Sequence, residues 1–152
     1  MSGAYPIGYE TVSSIGGEAM PDVAPDLRAQ DIRRGQEIQH RLAGPAAAER
    51  ARAGASALVP ELAELSDEVN WGRIWARDGL DLRTRTLCVI TCLLSLGHPT
   101  QAFAHMQGAR RIGVTRDELA EVVVQLTFYA GLPVVHEGLA LVARAYGEPQ
   151  PA

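Results

Sequence analysis

Cysteine is scarce in this chain. There are two, Cys88 and Cys92, four residues apart inside an apolar stretch. A bridge at that spacing closes almost no loop, so a disulfide scaffold is excluded. Neither a CxxC pair nor a Cys/His zinc spacing occurs, which leaves no metal site to expect. The two thiols read as small buried residues in a reducing compartment. Positive charge is not in excess either: 14 Lys and Arg against 18 Asp and Glu leave a net charge of −4. A nucleic-acid partner is therefore not expected, because it requires a basic patch that replaces phosphate counterions. Long hydrophobic runs are missing. The stretch from Leu87 to Leu96 is broken by Thr91 and Ser95 and falls well short of the ~20 residues that cross a bilayer. No basic segment followed by an apolar one marks a leader, so the expected location is the cytoplasm, with no membrane partner. No period-two strand pattern, no sequence repeat, no nucleophile elbow, no phosphate-cradling glycine loop and no HExxH is found. What is there is 47% hydrophobic and 21% charged, an ordinary globular composition over 152 residues, the length of one domain.

Residues 1–25 stand apart. Tyr5, Pro6, Gly8, Tyr9, Gly16, Gly17, Pro21 and Pro25 are turn formers and anchors without helical periodicity. They predict an extended arm, either loose or draped over a neighbouring surface. From Asp26 the signals are helical, and 26–147 is expected to form an all-α domain of six to eight helices, with 148–152 a tail. Asp26 caps a helix to about Leu42, stopped by Gly44-Pro45. Pro45 opens an alanine-rich helix to about Leu58, and Pro60 opens a short one ending near Asn70. Trp71 to Gly79 is a short helical or looped connection. Asp81 is an N-cap for Leu82 to about Leu96. That helix is apolar nearly all round past Arg85, which predicts a central, buried element. Pro99 opens a helix to about Ile112, ended by Gly113. Thr115 and Glu118 form a capping box for a helix running to Ala130. Pro133 starts the last helix, to about Tyr146.

Few side chains here are suited to chemistry. On a wheel at about 100° per residue, His105 shares its face with Gln101, Ala102, Gly108, Ala109 and Ile112, while Gln107 and Arg110 lie opposite. His105 therefore points inward or into a cleft, as a functional imidazole or as a core histidine beside a close helix contact. His98 stands at a helix break, and His136 lies in the first turn of the last helix. Glu118, Val122, Gln125 and Tyr129 share a face. Imidazole, amide, phenol and guanidinium groups suit acid–base or electrophilic catalysis on a small anion.

Several of these residues fall into a pattern. Trp71-Gly72-Arg73-Ile74-Trp75, then Arg83-Thr84-Arg85, Leu96-Gly97-His98-Pro99 with His105, Gly113-Val114-Thr115, Glu118, and Gln125 with Tyr129-Ala130-Gly131-Leu132-Pro133 resemble the 4-carboxymuconolactone decarboxylases. Arg34-Gly35-Gln36-Glu37 and Leu42-Ala43-Gly44 are similar to that family's first helix, so the resemblance runs from about Ile32 to Tyr146. It implies an all-α, alkylhydroperoxidase-like fold assembled as a trimer or hexamer, with sites near subunit contacts. It also implies a cofactor-free reaction on a small anionic substrate. A butenolide carrying a carboxylate loses CO2 to give the 3-oxoadipate enol-lactone, a step in protocatechuate degradation. Loss of CO2 leaves a dienolate, whose oxygen must be held by donors before carbon is protonated. By resemblance, His105 is the proton donor or the holder of the lactone oxygen. Arg85 is either a bidentate carboxylate binder or a structural ion-pair partner. His98, Gln101, Tyr129, His136 and Trp75 would contact substrate.

The departures bear on the substrate. Gln101 stands where many members carry glutamate, so no carboxylate acts there. His98 replaces what is often arginine, and His136 what is often asparagine or a small residue. The thiol peroxidases of the same superfamily carry cysteines at the positions of His98 and Gln101, so peroxidase chemistry is excluded. Three functions stay open: decarboxylation of a carboxylated lactone; a related lyase, isomerase or cyclase reaction on a biosynthetic intermediate; and a non-catalytic oligomeric binding protein.

Overall fold

The computed structural model describes residues 25–57 and 59–147, and among these every regular element is helical. The expected tail, and all of the expected arm but Pro25, lie outside the described residues. Helix α1 covers Pro25–Ala43 and α2 covers Pro45–Ser56. Between them Gly44 has φ 79°, a left-handed conformation that side-chain-bearing residues avoid. Arg111 covers this corner, donating from Nε to the carbonyl of Leu42 (3.1 Å) and from Nη2 to that of Ala43 (3.2 Å). These carbonyls end α1 and have no partner within the helix.

Helix α3, Pro60–Leu65, passes without a break into a π-helical segment, Ser66–Trp75. The expected end near Asn70, with a separate connection after it, is replaced by this one winding. The reason lies in which residues must face inward. Asp67 and Gly72 are both buried, and a spacing of five returns to one side only in the wider i→i+5 winding. That side meets α1 at very short range. A Cβ on Gly72 would stand 2.1 Å from the carbonyl oxygen of Asp31, and one on Gly35 would stand 2.2 Å from that of Asp67. Outside the crossing, Arg73 reaches Asp31 (2.9 Å) and Glu68 (2.6 Å), and Arg28 reaches Glu68 (2.8 Å).

Helix α4, Leu82–Ser95, is capped by Asp81, which accepts from the backbone N–H of Thr84 at 2.8 Å and from its hydroxyl at 2.7 Å. These bonds hold the Asp81 carboxyl below the usual carboxylate range. Helices α5, Pro99–Arg111, α6, Arg116–Val124, and α7, Leu132–Ala145, follow. The Thr115–Glu118 capping box is fully formed. Helix α6 gives way early to a tighter 3₁₀ turn, Gln125–Phe128, rather than running to Ala130; such tightening satisfies the last carbonyls of a helix. The core is built from Ile90 and Leu94 of α4, Met106 and Ala109 of α5, Leu119 and Val123 of α6, and Val135 and Val142 of α7.

Two expectations are corrected by this packing. Helix α4 is not enclosed: Thr86, Ile90 and Leu94 are buried along one stripe, and the opposite side is open. Cys88 and Cys92 lie on that open side and are exposed. Apolar character on both sides of a helix does not say that the same chain covers both.

The α1 crossing gives a stability test. Gly72→Ala forces a methyl group into the backbone of α1 and should lower stability by about 1–3 kcal/mol or more. Gly54→Ala, on α2 with nothing within 4 Å of the added carbon, should raise it by about 0.5–1 kcal/mol. Urea unfolding followed by circular dichroism measures both, and equal effects would show that the crossing is not tight.

Candidate functional site

His105 leaves α5 towards two indoles from the π segment. Its ring lies 5.7 Å from that of Trp75, with 15° between planes, and 6.3 Å from that of Trp71, with 19° between planes. The two indoles are 4.6 Å apart. A spacing of four places Trp71 and Trp75 as neighbours on the π segment, and the glycine crossing fixes that segment against α1. Gly108 completes the frame. A Cβ there would meet the Leu42 carbonyl at 3.2 Å, so α5 and α1 approach closely just below the histidine.

Between these elements is a cavity of about 240 Å³. Small residues, among them Ala43, Ala48, Ala51 and Ala104, leave the space open, and Trp71 and Leu42 add apolar wall. Its polar groups are His105, Gln39 and Ser66. No Lys or Arg side chain lines it. Burial disfavours the imidazolium, so the pKa of His105 is below its ordinary 6.5 and the ring is neutral near pH 7. Among the described residues no hydrogen bond engages either ring nitrogen. One nitrogen of a neutral imidazole donates and the other accepts.

Behind the cavity is a buried charge. Asp67, 2% exposed, receives hydrogen bonds from the side-chain amides of Gln36 (3.2 Å) and Gln39 (2.5 Å), both on α1. Arg52 of α2 brings its Nε to 3.0 Å. That contact is an ion pair without the alignment of a hydrogen bond. One carboxylate thus ties α1, α2 and the π segment together beside Gln39 and Ser66.

The residues singled out from sequence fall in different places. His105 and Trp75 are together. Trp75 also lines a solvent-open groove of about 390 Å³ with Arg34, Arg41 and Arg77. Arg85 is half-buried and donates from Nη2 to the carbonyls of Arg77 (2.9 Å) and Leu80 (3.4 Å). It clasps the loop that follows Trp75, and its buried Nε has no partner among the described residues. His98 is the exposed N-cap residue of α5, without a side-chain capping bond. Gln101, Tyr129 and His136 are exposed and are not among the residues lining the His105 cavity. Sequence reasoning did not single out Gln39, Ser66 or Asp67. The available signal was an aspartate inside an otherwise helical stretch.

The chain falls into a known class. A model of the carboxymuconolactone decarboxylase family matches residues 60–144, more than half of the chain, and the chain belongs to that family. It is 36% identical over 76 residues to the 4-carboxymuconolactone decarboxylase of Acinetobacter baylyi, covering 50% of this chain and 57% of that protein. It is 29% identical over 85 residues to the nitrosuccinic acid decarboxylase of Metarhizium robertsii, covering 56% of this chain and 59% of that one. The match therefore spans under two thirds of the length of either decarboxylase. An uncharacterized 15.0 kDa protein of Paracoccus denitrificans is 29% identical over 131 residues, 85% of this chain and 97% of that protein.

Because burial lowers the His105 pKa, the unfolded chain binds its proton more readily than the folded one. The stability contributed by the neutral ring is complete above pH 6.5 and is lost as pH falls through the folded pKa. A ¹H–¹³C titration of the His105 ring should give a midpoint below 6.5. A midpoint above 6.5 would place an anionic partner on the ring.

Proposed function

We propose that this protein is a cofactor-independent carboxy-lyase that decarboxylates a small carboxylated lactone of the 4-carboxymuconolactone type in the His105 cavity. The observation that carries this reading is a neutral imidazole, stacked on two indoles, with unengaged ring nitrogens in an apolar cavity. Membership of the family and two relatives named as decarboxylases support the reaction class. Their names carry different acids, so the substrate rests on the first relative and on the motif resemblance.

The chemistry follows from the lining. A carboxylate in a cavity without a cation is poorly stabilised. When the carbon–carboxyl bond breaks, CO2 leaves and the electron pair spreads through the conjugated ring onto the lactone oxygen. The N–H of His105 holds that oxygen, and a proton then adds to carbon, delivered by the same ring or by water. The sum is one carboxylate and one proton in, CO2 and the protonated lactone out. Trp75 and Trp71 set the plane of the imidazole, and the Arg85 clasp holds the loop that follows Trp75.

The working form in this reading is a homo-oligomer, a trimer or hexamer. Phe128 is 96% and Tyr129 82% exposed, and Val124 and Leu132 beside them in the chain are exposed too. Such an apolar surface is covered by a partner in most soluble assemblies. Light scattering at micromolar concentration should give at least three times the 16.3 kDa chain mass. A monomer would remove this part of the reading.

Carboxymuconolactone mixed with the purified protein should disappear with release of CO2. His105→Ala should slow turnover at least ~100-fold with the circular dichroism spectrum retained. His105→Gln keeps a donor but relays no proton near neutral pH. Substantial activity in that variant assigns oxygen holding, and near-complete loss assigns proton transfer. Turnover of the Ala variant within a few-fold of the parent would refute a catalytic His105.

A further inference from the structure

The family match begins at residue 60, yet half of the cavity wall comes from before it. Gln39, Leu42 and Ala43 on α1 and Ala48 and Ala51 on α2 face His105 across the cavity. This wall lies outside the part of the chain shared with the family model, and its one polar lining side chain is Gln39.

The geometry points to Gln39 as a specificity-determining residue that selects a substrate bearing a hydroxyl or N–H donor. The inference rests on the cavity being the substrate site. Asp67 accepts and does not donate, so the nitrogen of the Gln39 amide must turn towards it. The carbonyl oxygen then turns away from Asp67. Gln36 and Arg52 hold the carboxylate from other directions, so the orientation of Gln39 does not depend on a single contact. A half-buried acceptor in an otherwise apolar wall discriminates between ligands. A ligand hydroxyl pairs with it, whereas a methyl group of the same size leaves it unpaired, which is the costly case. The preferred substrate is thus a carboxylated lactone that carries, beyond the groups of carboxymuconolactone itself, a hydroxyl or an N–H at the end that meets α1, with its reacting carbon at His105.

Phenol and toluene test this, being alike in size and differing in hydroxyl against methyl. Dissociation constants of both are measured by NMR titration of the full chain, of Gln39→Met and of Gln36→Met. Loss of the acceptor should lower the preference for phenol over toluene about tenfold in Gln39→Met, roughly one hydrogen bond. Gln36→Met removes a bond to the same carboxylate but is not part of the cavity wall, and should leave the preference unchanged. An unchanged ratio in Gln39→Met, an equal change in Gln36→Met, or no binding of phenol to the parent chain overturns the inference. If Gln39→Met does not fold, the parent chain decides the matter. The side-chain ¹³Cδ of Gln39 should shift saturably with phenol and not with toluene; an equal shift, or none, overturns it. Neither probe carries a carboxyl group. A chain that releases no CO2 can therefore pass this test, and an active decarboxylase can fail it.

Discussion

Asp67 is a charge taken out of water, and the helices around it are arranged to keep it paired. Two amides from α1 and a guanidinium from α2 converge on a carboxylate in the π segment. Removing one partner of such a buried pair typically costs about 3–5 kcal/mol, because the other charge is left uncompensated. The contact also constrains backbone geometry. It requires the π winding, which puts Asp67 and Gly72 on one side. It requires glycine at 35 and 72, where any side chain would strike the opposing backbone. Once α1 and the π segment are locked in this way, the two tryptophans have one place to go, and His105 stacks on them.

The proposed function draws on the same constraint through electrostatics. The indoles stack on the imidazole, and burial lowers its pKa. A neutral ring near pH 7 is a donor and an acceptor at once. It can hold a developing oxyanion without first giving up a proton to bulk water. The cavity lining offers amide and hydroxyl groups and no Lys or Arg side chain, so in the proposed reading a carboxylate that enters is poorly stabilised and gains by losing CO2. Arg85, which the motif resemblance offered as a carboxylate binder or a structural partner, spends Nη2 on two backbone carbonyls.

Local signals in the sequence were legible. The Asp81 cap, the Thr115–Glu118 box and the stops at Gly44 and Gly113 each involve neighbours within a few residues, and the helices begin and end close to them. The inward turn of His105 was legible for the same reason, since a wheel needs only the helix itself. The π segment was not, because its winding answers to Asp31 and Gly35 across the crossing rather than to its own residues. The cover of α4 was not, because an apolar face does not name what lies on it. Gln39 was missed because its role depends on Asp67, far away in the chain, turning its amide. The motif residues Gln101, Tyr129 and His136 are exposed in the single chain and are not among the residues lining the His105 cavity.

In the proposed reading a small molecule enters the space between α1 and α5 beside His105. The chain's two tryptophans both stand at that histidine, so their fluorescence reports directly on the cavity. A small brominated phenol such as 3-bromophenol quenches an indole at contact. Quenching should saturate with probe concentration in the parent chain and become linear and weak when Ala104→Phe fills the cavity. Quenching that never saturates, and is the same in both proteins, would contradict it.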